Sequence, residues 1–188
     1  MLKKSKYTYV ELFTGTGGMH LGFELAGLRT VAAIDIDKNS CETFYLNRKK
    51  LIDKKRITFL REMDITNARK VNRGTLFKNV KNIQLDVLAG GPPCQGMSLA
   101  GPRNIDDPRN KLFKHYVRIL SDSKPKVFVF ENVKGLNSGI SYTNLLEHIE
   151  DCLSDSGSGY WVESKILKAD DFGVPQKRER IFIIGISK

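Results

Sequence analysis

Short runs of β-branched and aromatic residues alternate along the chain with longer segments in which apolar residues recur every three or four positions. The runs at 9–13, 30–35, 85–89, 126–130, 161–167 and 180–186, with a weaker one at 57–60, read as strands. Segments 19–26, 38–48, 111–121 and 142–153 read as helices, and Gly27 is a stop signal after the first. Parallel neighbours in a sheet need crossovers of roughly a dozen residues or more, so alternation at this spacing predicts an α/β fold with a doubly wound, mostly parallel sheet. The last two runs are joined by residues 168–179, which lack a helical pattern. They are expected to form an antiparallel pair at one end of the sheet.

Composition narrows the field. With 188 residues, of which 40% are apolar, the chain suits a single domain spanning residues 1–188. The longest apolar runs, 127–130 and 181–186, fall far short of the roughly 20 residues that cross a bilayer as a helix. Lysines at 3, 4 and 6 are followed by Tyr7-Thr8-Tyr9-Val10-Glu11 rather than an apolar signal core, so a cytoplasmic location is expected, with no membrane partner. The three cysteines, Cys41, Cys94 and Cys152, are odd in number and widely separated, which excludes a disulfide scaffold and paired zinc ligands. Histidines at 20, 115 and 148 are scattered, and no metal is expected. The net charge of +10 favours a polyanionic partner, although a solvated basic surface reads the same way.

Four motifs carry chemistry. Glu11-Leu12-Phe13-Thr14-Gly15-Thr16-Gly17-Gly18 runs from a strand through a glycine-rich turn into a helix, a setting in which backbone amides approach a ligand. A nicotinamide fingerprint counted from Gly15 would need a third glycine where His20 stands, which argues against a dehydrogenase. Asp35 closes the next strand, where a carboxylate can accept from both hydroxyls of a ribose; a surface acid after a tight turn, with Asp37 nearby, is the plainer alternative.

Cys94 lies in Gly90-Gly91-Pro92-Pro93-Cys94-Gln95-Gly96, at the carboxyl end of a strand, where open α/β sheets bind ligands. The two prolines stiffen the approach to a thiolate, and a buried structural cysteine is the alternative, as expected for Cys41 and Cys152. Residues 96–110 then form a connection longer than is usual in a compact domain, suited to closing over a site. Glu131 follows the apolar run 127–130, so desolvation should raise its pKa into the range of a proton donor, unless it is a cap or surface acid. In Gln176-Lys177-Arg178-Glu179-Arg180 the period of a strand puts Arg178 and Arg180 on one face, where they can address one anion or form a solvated charge run.

In this order the motifs, together with Met63-Asp64-Ile65-Thr66, resemble the DNA (cytosine-5) methyltransferases from Tyr9 to Gly185. Glu11, where the family usually has aspartate, and Thr14, where alanine is common, are slight departures. The resemblance implies a Rossmann-like S-adenosylmethionine-dependent methyltransferase fold and methylation at C5 of a flipped-out cytosine in double-stranded DNA. Cys94 would be the nucleophile that adds at C6, Glu131 would bind the N3/N4 edge in its protonated form, and Arg178 and Arg180 would hold the base and position Glu131. S-adenosylmethionine would lie against Phe13, Gly15, Thr16, Gly17 and Gly18, with Asp35 at its ribose and Ile36 beside the adenine. Asp64 and Ile65 would take the adenine edge, and Pro93 and Leu112 would complete the pocket, which releases S-adenosylhomocysteine. Gln95, Ser98 and Arg109 would contact DNA.

Family members normally continue after the QKRER strand with a target recognition region and two further motifs, including a helix that packs against the first strand. The expectation is therefore a catalytic subunit of a split bacterial methyltransferase, nucleoid-associated, whose recognition region comes from a second polypeptide; a piece of a longer enzyme would read the same. With no helix pattern before Tyr9 or after the last strand, part of one sheet face should be left apolar. A tRNA cytosine-5 methyltransferase and a catalytically silent cofactor-binding scaffold subunit are the alternatives.

Overall fold

The structure is a computed structural model that describes residues 7–78, 84–93, 112–134, 147, 149–157 and 159–188. Among these, β1 (Thr8–Leu12), α1 (Gly18–Leu25), β2 (Arg29–Ile34), α2 (Lys38–Asp53), β3 (Thr58–Leu60), α3 (Arg73–Leu76) and β4 (Val87–Gly90) are followed by α4 (Phe113–Ser123), β5 (Val127–Val133), β6 (Tyr160–Lys168) and β7 (Glu179–Ser187). One seven-stranded sheet runs β3-β2-β1-β4-β5-β7-β6. The first five strands are mutually parallel, and β7 lies antiparallel between β5 and β6. The chain thus winds outward in both directions from β1 and β4, and the switch point opens a crevice at the carboxyl ends of these two strands.

β1 is buried along its whole length, as befits a central parallel strand covered on both faces. In β5, by contrast, buried and half-buried residues alternate. Phe128 and Phe130 face one way, their rings 5.1 Å from Tyr160 and 5.2 Å from Tyr116. The Tyr116 hydroxyl, from α4, lies 3.0 Å from the Leu88 carbonyl and 3.2 Å from that of Val129, which seats α4 across β4 and β5. At the opposite end of the strands the Asp86 carboxylate accepts from Thr8 N at 2.8 Å and from the Lys126 ammonium at 2.7 Å, tying three strands together.

The second face of β5 looks outward. Its neighbours there are Ile184 (44% exposed), Ile186 (59%) and Trp161 (71%), so part of one sheet face is apolar and open, as expected from the sequence. No helix among the described residues is long and apolar enough to cross a membrane.

The elements differ from expectation in three places. Helix α2 continues through Asp53, past the expected end at residue 48; its last turns are polar helix surface, with Arg48 2.9 Å from Glu24 and the Tyr45 hydroxyl 3.2 Å from Asp53. Helix α3 went unread because four residues are too few to show a period, and a reciprocal cap between Asn72 and Thr75 defines it instead. β5 extends to Val133 because Asn132 and Val133 pair with Ile181 and Arg180 of β7. The helix expected at 142–153 lies largely outside the described residues; 149–154 are helical.

Candidate active site

The turn after β1 is built on backbone conformations that L residues avoid. Phe13 has φ 58°, Gly15 φ 56° and Gly17 φ 95°. A Cβ at Gly17 would stand 2.9 Å from the Phe44 ring, so both conformation and space call for glycine there. Thr14 N donates to the Ile34 carbonyl at 3.0 Å and Gly15 N to Asp35 Oδ2 at 2.7 Å, which fastens the turn to the end of β2. Asp35 Oδ1 accepts from Asp37 N at 2.9 Å. Each carboxylate oxygen therefore has one amide partner and keeps lone-pair capacity for another donor. Asp37 itself caps α2, accepting from Ser40 N at 2.7 Å, which gives it a structural task.

Beside this turn lies a cleft of about 370 Å³, within the size range of small-ligand sites. Phe13, Asp35, Ile36, Asp64, Ile65, Pro93 and Leu112, all expected, line it, together with Ile34, Met63 and Thr66, which were not expected. Met63 and Thr66 flank the two expected residues in the Met63-Asp64-Ile65-Thr66 motif, so the motif's limits were the available signal. Ile36 is 60% exposed, an apolar side chain open to a planar ligand. Gly15, Thr16, Gly17 and Gly18 do not line the cleft; Thr16 and Gly18 face solvent, and Gly15 touches it through Asp35.

The second part of the site lies at the ends of β4 and β5. Glu131 is directed at Arg180, with Nε and Oε1 3.2 Å apart. Burial raises the carboxyl's pKa above its ordinary value, against the opposing charges of Arg180 and Arg178. Register explains the geometry: Glu131 opposes Phe182 and Val133 opposes Arg180 on antiparallel strands, so Glu131 and Arg180 are diagonal neighbours on one face. A Cβ on Gly91 would stand 2.7 Å from Glu131 Oε2, so glycine there leaves room for the carboxylate. Asn132 Nδ2, on the buried face of β5, donates to the Pro92 carbonyl at 3.0 Å, two residues before Cys94. Cys94, Gln95, Ser98 and Arg109, with the connection 96–110, lie outside the described residues.

Beneath the turn, His20 and Glu11 are buried. His20 Nδ1 is 3.4 Å from Glu11, and Nε2 is 3.2 Å from Glu24. In the sequence His20 marked only a failed dinucleotide fingerprint, yet its side chain fills the space under the turn. Burial raises the Glu11 pKa, and His20 opposes that shift.

This parallel core with an antiparallel β7 between β5 and β6, its glycine turn and the acid after β2 define the S-adenosylmethionine-dependent methyltransferase class of doubly wound fold. The profile of the C-5 cytosine-specific DNA methylases matches residues 7–188, and the chain belongs to that family. It is similar to type II methyltransferase M.XorII of Xanthomonas oryzae pv. oryzae, with 39% identity over 95% of this chain and 40% of the relative. It is also similar to type II methyltransferase M.AquIA of Picosynechococcus sp., with 38% identity over 94% of this chain and 70% of the relative. A crystal structure assigned as a prophage-encoded DNA modification methyltransferase (E. coli) superimposes with a TM-score of 0.76 at 30% identity, over 97% of this chain and 47% of the other. The chain thus spans less than half the length of M.XorII and of that structure.

Proposed function

We propose that the chain is the catalytic and cofactor-binding part of an enzyme that methylates cytosine at C5 in double-stranded DNA, within the cytoplasm, and that a second polypeptide supplies target recognition. One observation carries the reading: a desolvated Glu131 paired with Arg180 stands where β4 runs into Pro92 and Pro93, the residues that precede Cys94 in the sequence, and Pro93 lines a cleft of nucleoside size.

The residues present suit S-adenosylmethionine. Asp35, with an amide on each oxygen, can still accept from both ribose hydroxyls, Ile36 can cover a face of the adenine, and Asp64 and Ile65 offer polar atoms to its edge. When bound there, S-adenosylmethionine supplies an electrophilic methyl group on a sulfonium. The chain's own residues make the base able to accept that methyl. The Cys94 thiolate forms a bond to C6, the C5–C6 π pair moves onto C5, and Glu131 donates its proton at N3 so that no full charge builds on the ring. Arg180 keeps Glu131 turned toward the base. After transfer, the C5 proton is lost to water, the thiolate departs from C6 and the N3 proton returns to the Glu131 carboxylate, which restores the aromatic ring. A base stacked in a duplex cannot reach Cys94, so the target must rotate out of the helix, with residues 96–110 closing over it and Gln95, Ser98 and Arg109 at the DNA.

The open face of Ile184, Ile186 and Trp161 supports the need for a further polypeptide, because contiguous apolar surface on a protein in water commonly marks an interface. The test is methyl transfer from labelled S-adenosylmethionine to DNA and to tRNA, by the chain alone and with the recognition polypeptide. Site-specific 5-methylcytosine in DNA only when both are present is the expected result. Full site-specific activity of the chain alone, or methylation of tRNA in preference to DNA, would overturn the proposal.

A further inference from the structure

The cleft takes two parts of its wall from different layers of the fold. One is Leu112, immediately before α4; the other is the turn segment from Met63 through Thr66 after β3. That segment belongs to no ladder. Met63 N donates to the Asp35 carbonyl at 2.9 Å, and the following bonds are local, from Thr66 N to Asp64 Oδ1 at 2.8 Å, Asn67 N to the Asp64 carbonyl at 3.1 Å and Val71 N to the Asn67 carbonyl at 2.8 Å.

Arg118 spans the gap from α4. Its Nη2 donates to the Ile65 carbonyl and its Nη1 to the Val71 carbonyl, both at 2.9 Å. Asp122, one turn on, stands 3.9 Å away, so among the described residues the guanidinium's close contacts are these two carbonyls. A planar fork can satisfy two fixed acceptors at once, which an ammonium on a flexible stem does not reproduce. The peptide unit is planar and trans, so holding the Ile65 carbonyl toward α4 aims the Thr66 N–H the opposite way, where it meets the Asp64 carboxylate. Arg118 itself does not line the cleft.

We propose that Arg118 is a positioning residue for the methyl donor: by gripping the Ile65 carbonyl it fixes the Asp64 carboxylate in the wall of the adenosyl cleft. The inference rests on the reading of the cleft as the S-adenosylmethionine site. An Arg118 that merely stabilises the fold would weaken every cleft ligand alike. One that acts through Asp64 should matter most for a ligand that offers a donor to that carboxylate, namely the adenine amino group.

The experiment is calorimetric titration of the chain with S-adenosylhomocysteine and with S-inosylhomocysteine, which has an oxo group in place of that amino group, for the wild type, Arg118→Met and Arg118→Lys. Binding of S-adenosylhomocysteine should weaken by about 10-fold in Arg118→Met while binding of the inosyl compound changes less than about 2-fold, so the preference collapses. Arg118→Lys, able to hold one carbonyl, should fall between, and it gives the same readout if the methionine variant does not fold. Equal losses for both ligands, or unchanged affinities, would overturn the role of Arg118 alone. A wild-type chain that binds neither compound would overturn the reading of the cleft and the proposal with it.

Discussion

Asp35 directly follows β2 and Glu131 sits in the last half of β5, and their surroundings direct the two acids to different work. Asp35 holds an amide on each oxygen and stays suited to accept hydrogen bonds; Glu131 is desolvated and shifted toward its protonated form. Asp35→Ala should weaken S-adenosylmethionine binding by about 1–3 kcal/mol, the usual loss for hydrogen bonds to a charged group, as read by calorimetry. Unchanged affinity would put the ribose contact elsewhere. Because the folded pKa of Glu131 lies above its ordinary value, the native state holds this proton more tightly than the unfolded chain does. Its contribution to stability is full below the ordinary carboxyl range and is lost as pH rises through the raised value. Urea unfolding over a pH series should therefore show wild type losing stability relative to Glu131→Gln as pH increases; parallel curves would contradict the shift. These two acids were legible in the sequence because each follows an apolar run. Ile34 in the cleft wall, His20 under the turn and Arg118 were not, since their roles depend on partners that only the folded chain brings near.

Among the elements, the turn from β1 into α1 carries the most conformational demand. Gly17, left-handed and within 2.9 Å of the Phe44 ring if given a Cβ, allows a clear test. Gly17→Ala should cost about 1–3 kcal/mol of stability, from left-handed strain and overpacking, measured by urea unfolding. A cost near zero would mean that the turn relaxes without loss. The strands were readable to within a few residues because long apolar runs dominate their pattern, and the antiparallel β6–β7 pair followed from a connection with no helical period. The end of α2 was hidden because polar residues on a solvated helix face look like a loop. The reach of β5 to Val133 was hidden because pairing with β7, not composition, sets it.

For the whole molecule, the sheet's open face and the partial span relative to M.XorII bear on one another. If the rest of the enzyme covers that face, the isolated chain should self-associate through it, and the double variant Ile184→Lys/Ile186→Lys should keep the chain monomeric while blocking assembly with the recognition polypeptide. Sedimentation of both forms decides this; a wild-type chain that is already monomeric at high concentration would argue against an interface there. The proposed methyl transfer depends on a covalent bond from Cys94 to the base, and trapping on DNA that carries 5-fluorocytosine in the target site tests that bond. Fluorine at C5 cannot leave as the proton does, so the complete enzyme should remain bonded to the DNA after methyl transfer and migrate as an adduct on a denaturing gel. The adduct should form for the wild type with S-adenosylmethionine and not for Cys94→Ser; an adduct formed equally by Cys94→Ser would contradict the role of Cys94.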